Sequence, residues 1–186
     1  MIYPVIAFGD PVLRKVAKDF SEEELKEVGT LVSDMFDTME GAHGVGLAGP
    51  QIGKAKRIFV IDSNLMIDEE SEEKGYRGAF INAEIIEEWG DEFTMEEGCL
   101  SIPGINGDVT RPSSLKIKYI DEELNEREEE FSGMTARVIQ HEYDHIEGIL
   151  FTDYLTPIKK RLIKNKLNNI SKGKAQHSYR MKFPKK

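Results

Sequence analysis

Gln140-His141-Glu142-Tyr143-Asp144-His145-Ile146-Glu147-Gly148 is the stretch from which the rest of this chain is best read. Residues 133–147 read as a helix, with Ser132 as N-cap and Gly148 as the C-terminal stop. On such a helix His141 and His145 are displaced by only ~40° around the axis, so both imidazoles can turn to one metal ion. Glu142 is offset from His141 by ~100° and stands beside that ion rather than on it, the place for a general base acting on water. An amphipathic surface helix with two exposed histidines fits the same string, so the helix alone leaves the chemistry open.

Downstream, Thr156-Pro157 opens another helix with proline at its first position, and Ile158, Leu162, Ile163 and Leu167 are assigned to one face. Upstream, Ser21-Glu22-Glu23-Glu24 is a capping box. Leu25, Val28, Leu31, Val32, Met35, Phe36 and Met39 then recur at helical spacing, which predicts a helix over about 22–40 ending at Gly41. Between the helices lie strand-like runs at Arg57–Asp62, Ala79–Trp89 and Leu115–Ile120. The acidic stretch 68–73 reads as a solvated connection, and 122–130 as an exposed hairpin and strand. A helix, many strands, then helices give an α+β class: antiparallel or mixed sheets packed around a central H-E-x-x-H helix, with a C-terminal helix. Residues 1–170 are expected to form a single catalytic domain, and 171–186 a basic, flexible tail.

The length of 186 residues suits one domain. The net charge of −9 is unevenly spread: residues 154–186 hold 11 Lys and Arg and no acid, which leaves 14 basic and 34 acidic residues, a net of −20, in 1–153. That body should repel nucleic acid, DNA included, and only the C-terminal part could dock on phosphate. No apolar run approaches the roughly 20 residues of a membrane-spanning helix. Met1-Ile2-Tyr3-Pro4 has neither the basic nor the apolar region of a secretion signal. One cysteine forms no internal disulfide, so a reducing, cytoplasmic setting is expected.

That cysteine, Cys99, sits in Glu97-Gly98-Cys99-Leu100-Ser101. A thiolate with two imidazoles makes three ligands and leaves a fourth position open, the arrangement of a catalytic metal; a lone cysteine is equally at home as a small buried hydrophobe. Gly44-Val45-Gly46-Leu47-Ala48-Gly49-Pro50-Gln51 lacks the ending of a phosphate loop. Its small residues permit close backbone approach, and Gln51 can offer an amide donor to a cleft; a tight turn is the simpler alternative.

Taken together, residues 44–51, 97–101 and 140–148 resemble, in order and spacing, the three signature motifs of the peptide deformylase family. The likeness extends to Asn82 and to Phe151-Thr152-Asp153-Tyr154-Leu155. Gly49, Ala83 and Ile146 stand where that family usually has Ala, Pro and Leu, and the long basic C-terminal helix is similar to its type I, bacterial branch. The resemblance implies removal of the formyl group from the N-terminal formylmethionine of new chains. It implies that Cys99, His141 and His145 bind one Fe²⁺ per chain, with Zn²⁺, Ni²⁺ or Co²⁺ able to substitute. The ligand set alone favours zinc, so iron comes from the resemblance. It further implies that water on the metal attacks the formyl carbon, with Glu142 as base and then acid, and that the Gln51 side chain and Leu100 backbone N–H meet the oxyanion. Val45, Met95, Met134 and Val138 would line the methionine pocket, Gly46 would pair its backbone with the substrate, and Glu97 and Arg111 would form a structural ion pair. The implied partners are N-formylmethionyl nascent peptides and, through the C-terminal helix, the ribosome. Two other readings compete. A zinc peptidase needs a third ligand downstream of the helix, where only Glu147, Asp153 and His177 are available; an RNA-docking module using the basic tail is opposed by the net charge of the body.

Overall fold

The run Ile58–Asp62 (β3) is apolar at successive positions because both faces of its sheet are covered. Phe59 and Ile61 point to one side, where they meet Ala136, Val138, Ile139 and Ile146. Ile58 and Val60 point to the other, where they meet Val28, Val32, Met35 and Met39. This period-two division puts the sheet between two helices, Val28–Gly41 (α2) and Gly133–Ile146 (α3). The computed structural model describes residues 1–67, 71 and 73–184; residues 68–70 and 72 of the acidic stretch, and 185–186, lie outside the described residues.

The sheet is antiparallel, in the order β2 (Gly46–Ala48), β3, β4 (Arg77–Cys99), β5 (Ile102–Ile120), β6 (Glu126–Ser132). The expected strand 79–89 is part of a longer one that continues to Cys99, because register shifts let it bend without breaking. One shift falls between Trp89 and Glu92, where Gly90 takes φ +89°. The α+β class and the C-terminal helix, Pro157–Ser171 (α4), are as the sequence led us to expect.

Four local readings need correction. The helix expected over 22–40 is split into Glu22–Leu25 (α1), which has the capping box, and α2. The first turn is held separately, since Lys56 Nζ reaches both Glu24 and the Asp19 carbonyl. Ser132 stands at the start of α3 but its side chain makes no capping bond. Glu73 does so instead, accepting the Met134 N–H at 2.6 Å, so the acidic stretch ends as a helix cap rather than wholly in solvent. On α4, Ile163 and Ile170 are buried while Ile158 and Leu162 are 74% and 71% exposed. At 100° per residue the first two of the expected apolar set lie roughly 130° around the helix from Ile163, Leu167 and Ile170.

The fourth correction concerns the tail. Instead of a flexible appendage, the chain beyond Ser171 turns back, and Met181–Lys182 (β7) pairs in parallel with Val5–Ile6 (β1). Val5 and Ala7 N–H donate to the carbonyls of Arg180 and Lys182, both at 2.9 Å. Ala175, Met181 and Phe183 pack on a cluster that includes Ile102, Phe151, Ile163 and Ile170.

Candidate active site

Three elements converge on one cleft. The helix α3 brings His141 and His145 to the same side, their ring centroids 5.1 Å apart and their planes at 81°. The end of β4 brings Cys99, whose Sγ lies 3.3 Å from His145 Nε2. One ligand atom from each of Cys99, His141 and His145 falls within 4.8 Å of the others. A sulfur and two imidazole nitrogens at such separations suit a divalent transition ion, with soft thiolate and borderline nitrogen donors of the kind zinc or iron takes.

Glu97 holds this arrangement in place. Its Oε2 is 2.9 Å from His141 Nδ1, which leaves the other ring nitrogen to face the cluster. Arg111 binds the same carboxylate with two N–H groups at 2.7 and 3.1 Å, the fork geometry of a bidentate pair. Arg137 adds a second guanidinium, Nη1 at 2.9 Å, and donates as well to the carbonyls of Val109 and Phe93. Burial alone would raise the Glu97 carboxyl, but hydrogen bonds from His141 and Arg111 hold it well below the usual carboxylate range. Arg111 also lies 2.8 Å from Asp144, which accepts from the Tyr154 hydroxyl. Arg137, Asp144 and Tyr154 were not singled out from sequence. The available signal was spacing: Arg137 is four residues before His141, on the same face of the helix.

Glu142 is 4% exposed, and its Oε2 is buried with no hydrogen-bond partner among the described residues. Burial, with added repulsion from Glu97 and Asp144, pushes its carboxyl up to about 7 against the pull of His141. The carboxylate rests on the backbone of β2. A Cβ placed on Gly46 would lie 2.7 Å from both Cγ and Cδ of Glu142, so this position admits no side chain unless the carboxylate moves. Gly44 is constrained in the same way, since a Cβ there would lie 2.7 Å from Leu100 Cδ1.

Gln51 follows β2 in a short 3-10 turn. Its Oε1 accepts the Ala48 N–H at 2.8 Å, which turns Nε2 towards Cys99 Sγ and Ser101 Oγ, both at 3.4 Å. The cleft measures about 960 Å³. Val45, Gly46, Gln51, Met95, Glu97, Cys99, Leu100, Val138, His141 and Glu142 all line it, and His145 joins through the ligand cluster. Met134 does not: it stands in the first turn of α3, over Glu73, and the methionines on the cleft wall are Met66 and Met95. Arg111 lies behind the wall, paired with Glu97. Residues 175–179 of the return segment complete the lining, a contribution nothing in the sequence announced.

Residues 2–161 match the family model described as polypeptide deformylase. The chain is 60% identical over 184 residues to the peptide deformylase of Cytophaga hutchinsonii, covering 99% of this chain and 98% of that protein. Among solved structures, a peptide deformylase from Legionella pneumophila superposes with a TM-score of 0.78 at 37% identity, over 96% of this chain and all of that one. The peptide deformylase from Ehrlichia chaffeensis in complex with actinonin gives 0.82 at 30% identity, over 94% and 99%.

Proposed function

The chain belongs to the polypeptide deformylase family, and on that premise we propose that it releases formate from N-formylmethionyl nascent peptides by a metal-assisted hydrolysis in which Glu142 moves the proton. One observation carries this reading: a buried carboxylate, one oxygen of which has no hydrogen-bond partner among the described residues, stands in the cleft beside a cysteine and two histidines placed to share one ion. A divalent cation held by Cys99, His141 and His145, Fe²⁺ in the first instance with Zn²⁺, Ni²⁺ or Co²⁺ able to substitute, would supply Lewis acidity and a water of lowered pKa. Glu142 is the residue that would take a proton from the water attacking the formyl carbon and return it to the amine nitrogen as the C–N bond breaks. The products are formate and a free methionyl amine. Gln51 Nε2 and the Leu100 N–H are donors fixed in advance for the carbonyl oxygen as negative charge builds there. Val45, Met95 and Val138 offer an apolar wall to the methionine side chain, and Gly46 offers the free edge of β2 to the substrate backbone. Glu97, with Arg111 and Arg137, orients His141.

The catalytic unit on this reading is residues 1–170 together with the return segment that closes on it. No helix among the described residues is long and apolar enough to cross a membrane, and we place the enzyme in the cytoplasm, where its substrate is made. The ribosome is the partner we assign to α4, whose exposed surface combines Lys159, Lys164 and Lys166 with Ile158 and Leu162. Lys→Glu at those three lysines should weaken co-sedimentation with ribosomes, most clearly at low salt. The hydrolytic reading is tested with formyl-Met-Ala-Ser: the iron-loaded protein, kept anaerobic, should release formate and leave the peptide bonds whole. Cleavage of Met–Ala without formate would favour a peptidase.

A further inference from the structure

We infer that the ribbon formed by β1 and β7 clamps the Leu100–Ser101 turn, and that Tyr179 is a positioning residue for the Leu100 N–H. The inference rests on the deformylase reading, in which that N–H meets the oxyanion, and extends it to a segment beyond residue 161, where the family match ends.

Leu100 and Ser101 form a two-residue turn, because Cys99 pairs with Ile102 where β4 meets β5. The turn stands outside the ladder of the two strands, and Ser101 is fully buried. Carbonyls in such a place need partners from elsewhere in the fold. Both find them on the ribbon. Tyr179 Oη donates to the Leu100 carbonyl at 2.6 Å, and the Phe8 N–H donates to the Ser101 carbonyl at 2.9 Å. These two bonds belong to one piece of structure. With Val5 opposite Met181 and Ile6 opposite Lys182, Tyr179 enters the ribbon at one end and Phe8 leaves it at the other. The turn is therefore gripped at two points, 79 and 93 residues away in sequence from the groups that hold it.

The grip bears on the donors of the cleft. Leu100 N–H belongs to the peptide plane that joins it to Cys99, and its carbonyl to the plane that joins it to Ser101. The two planes share only the φ and ψ of Leu100. With Cys99 in the ladder at one end and the Leu100 carbonyl held at the other, the N–H has little room to swing. The same turn touches the second donor, since Gln51 Nε2 lies 3.4 Å from Ser101 Oγ. Oxyanion donors act at about 2.7–3.1 Å, so a shift of a few tenths of an ångström in this turn is felt in the rate. Tyr179 is itself well placed to resist one. Its ring stands 6.3 Å from that of His177, which is 5.6 Å from Phe183, and Phe183 packs on the cluster with Ile102 and Phe151.

The test uses the metal-loaded full chain with formyl-Met-Ala-Ser. Tyr179→Phe keeps the ring and loses only the donor, so kcat should fall roughly 2–10-fold, the worth of one hydrogen bond, with KM and metal content little changed. Lys182→Ala, an exposed side chain on β7 whose backbone pairing is kept, should leave kcat as it was. A second readout needs no turnover. In zinc-loaded protein carrying ¹⁵N-leucine, the Leu100 amide should exchange its hydrogen several-fold faster in Tyr179→Phe than in wild type or Lys182→Ala. An unchanged kcat, an equal loss in Lys182→Ala, or a raised KM at full kcat would overturn the positioning role. An unmoved Leu100 exchange rate beside an active wild type would overturn it too and leave the deformylase reading standing. No formate from the wild type would sink that reading itself, and this inference with it.

Discussion

Replacing Glu142 by glutamine separates its chemistry from its packing. The amide has nearly the same shape, so contact with Gly46 and the position of α3 are kept, while the group that accepts a proton is lost. Metal content should therefore stay at one ion per chain, and turnover should fall by roughly 10²–10⁴-fold, the usual worth of a positioned general base. Stability should move the other way. In the metal-free protein Oε2 is a buried acceptor with no partner among the described residues, a state that costs roughly 1–3 kcal/mol and more when the group is ionised. Removing the charge returns part of that, and for a chain of this size each kcal/mol moves Tm by about 2–4 °C. The metal-free variant should thus melt a few degrees above metal-free wild type, while the loaded variant is nearly inactive. Formate release, metal analysis and a thermal melt on the same preparation read all three. Metal loss as severe as in His141→Ala would show that Glu142 is a ligand, and turnover near wild type would show that the base lies elsewhere.

Arg137→Ala removes one of two arginines from Glu97 and strips the Val109 and Phe93 carbonyls of their donor. Because Arg111 still covers the carboxylate, the loss should fall towards the lower end of about 3–5 kcal/mol, measurable by urea unfolding; a change under 1 kcal/mol would contradict the network. Glu73→Ala should cost about 1 kcal/mol of stability as a lost helix cap, whereas Ser132→Ala should change almost nothing; the reverse ranking would restore Ser132 as the cap. Iron-loaded protein should lose activity in air faster than nickel-loaded protein, because ferrous iron and the thiolate it holds are both oxidisable. Equal lifetimes, followed by timed formate assays, would argue against Cys99 as a ligand to iron.

The parts of this fold that could be read from sequence are those whose cause lies within one element. The four-residue spacing of His141 and His145 is enough to put both rings on one side of a helix, and the structure brings them to Cys99. The alternation along Leu115–Ile120 and the capping box at Ser21 are local signals of the same kind. Where a reading failed, the deciding contact came from far along the chain. The cap of α3 comes from Glu73, 61 residues before Met134, and Arg137 reaches Glu97 across 40 residues. The split between α1 and α2 follows no proline or glycine at the break, and the contact that ties the first turn down comes from Lys56.

Spacing along a helix therefore selects two of the candidate metal ligands and the neighbouring acid, while sheet register and remote hydrogen bonds decide how those groups are held. Gly46 shows how closely the two are joined. In sequence it is one small residue in a glycine-rich run, compatible with a plain turn; in space it is the surface on which Glu142 lies, because β2 pairs with β3 in the register Gly46↔Ile61 and α3 packs across the same sheet. A one-residue slip in that pairing would put Leu47 on the opposite face and a side chain where the carboxylate now rests. On β2 it is the burial of Leu47 on the α2 side that keeps Gly46 on the α3 side, and so keeps the gap that Glu142 occupies. The chemistry of the cleft depends on the core in this direct sense: the same pairing that sets Phe59 and Ile61 against α3 leaves room beside Gly46 for an acid whose Oε2 has no hydrogen-bond partner among the described residues.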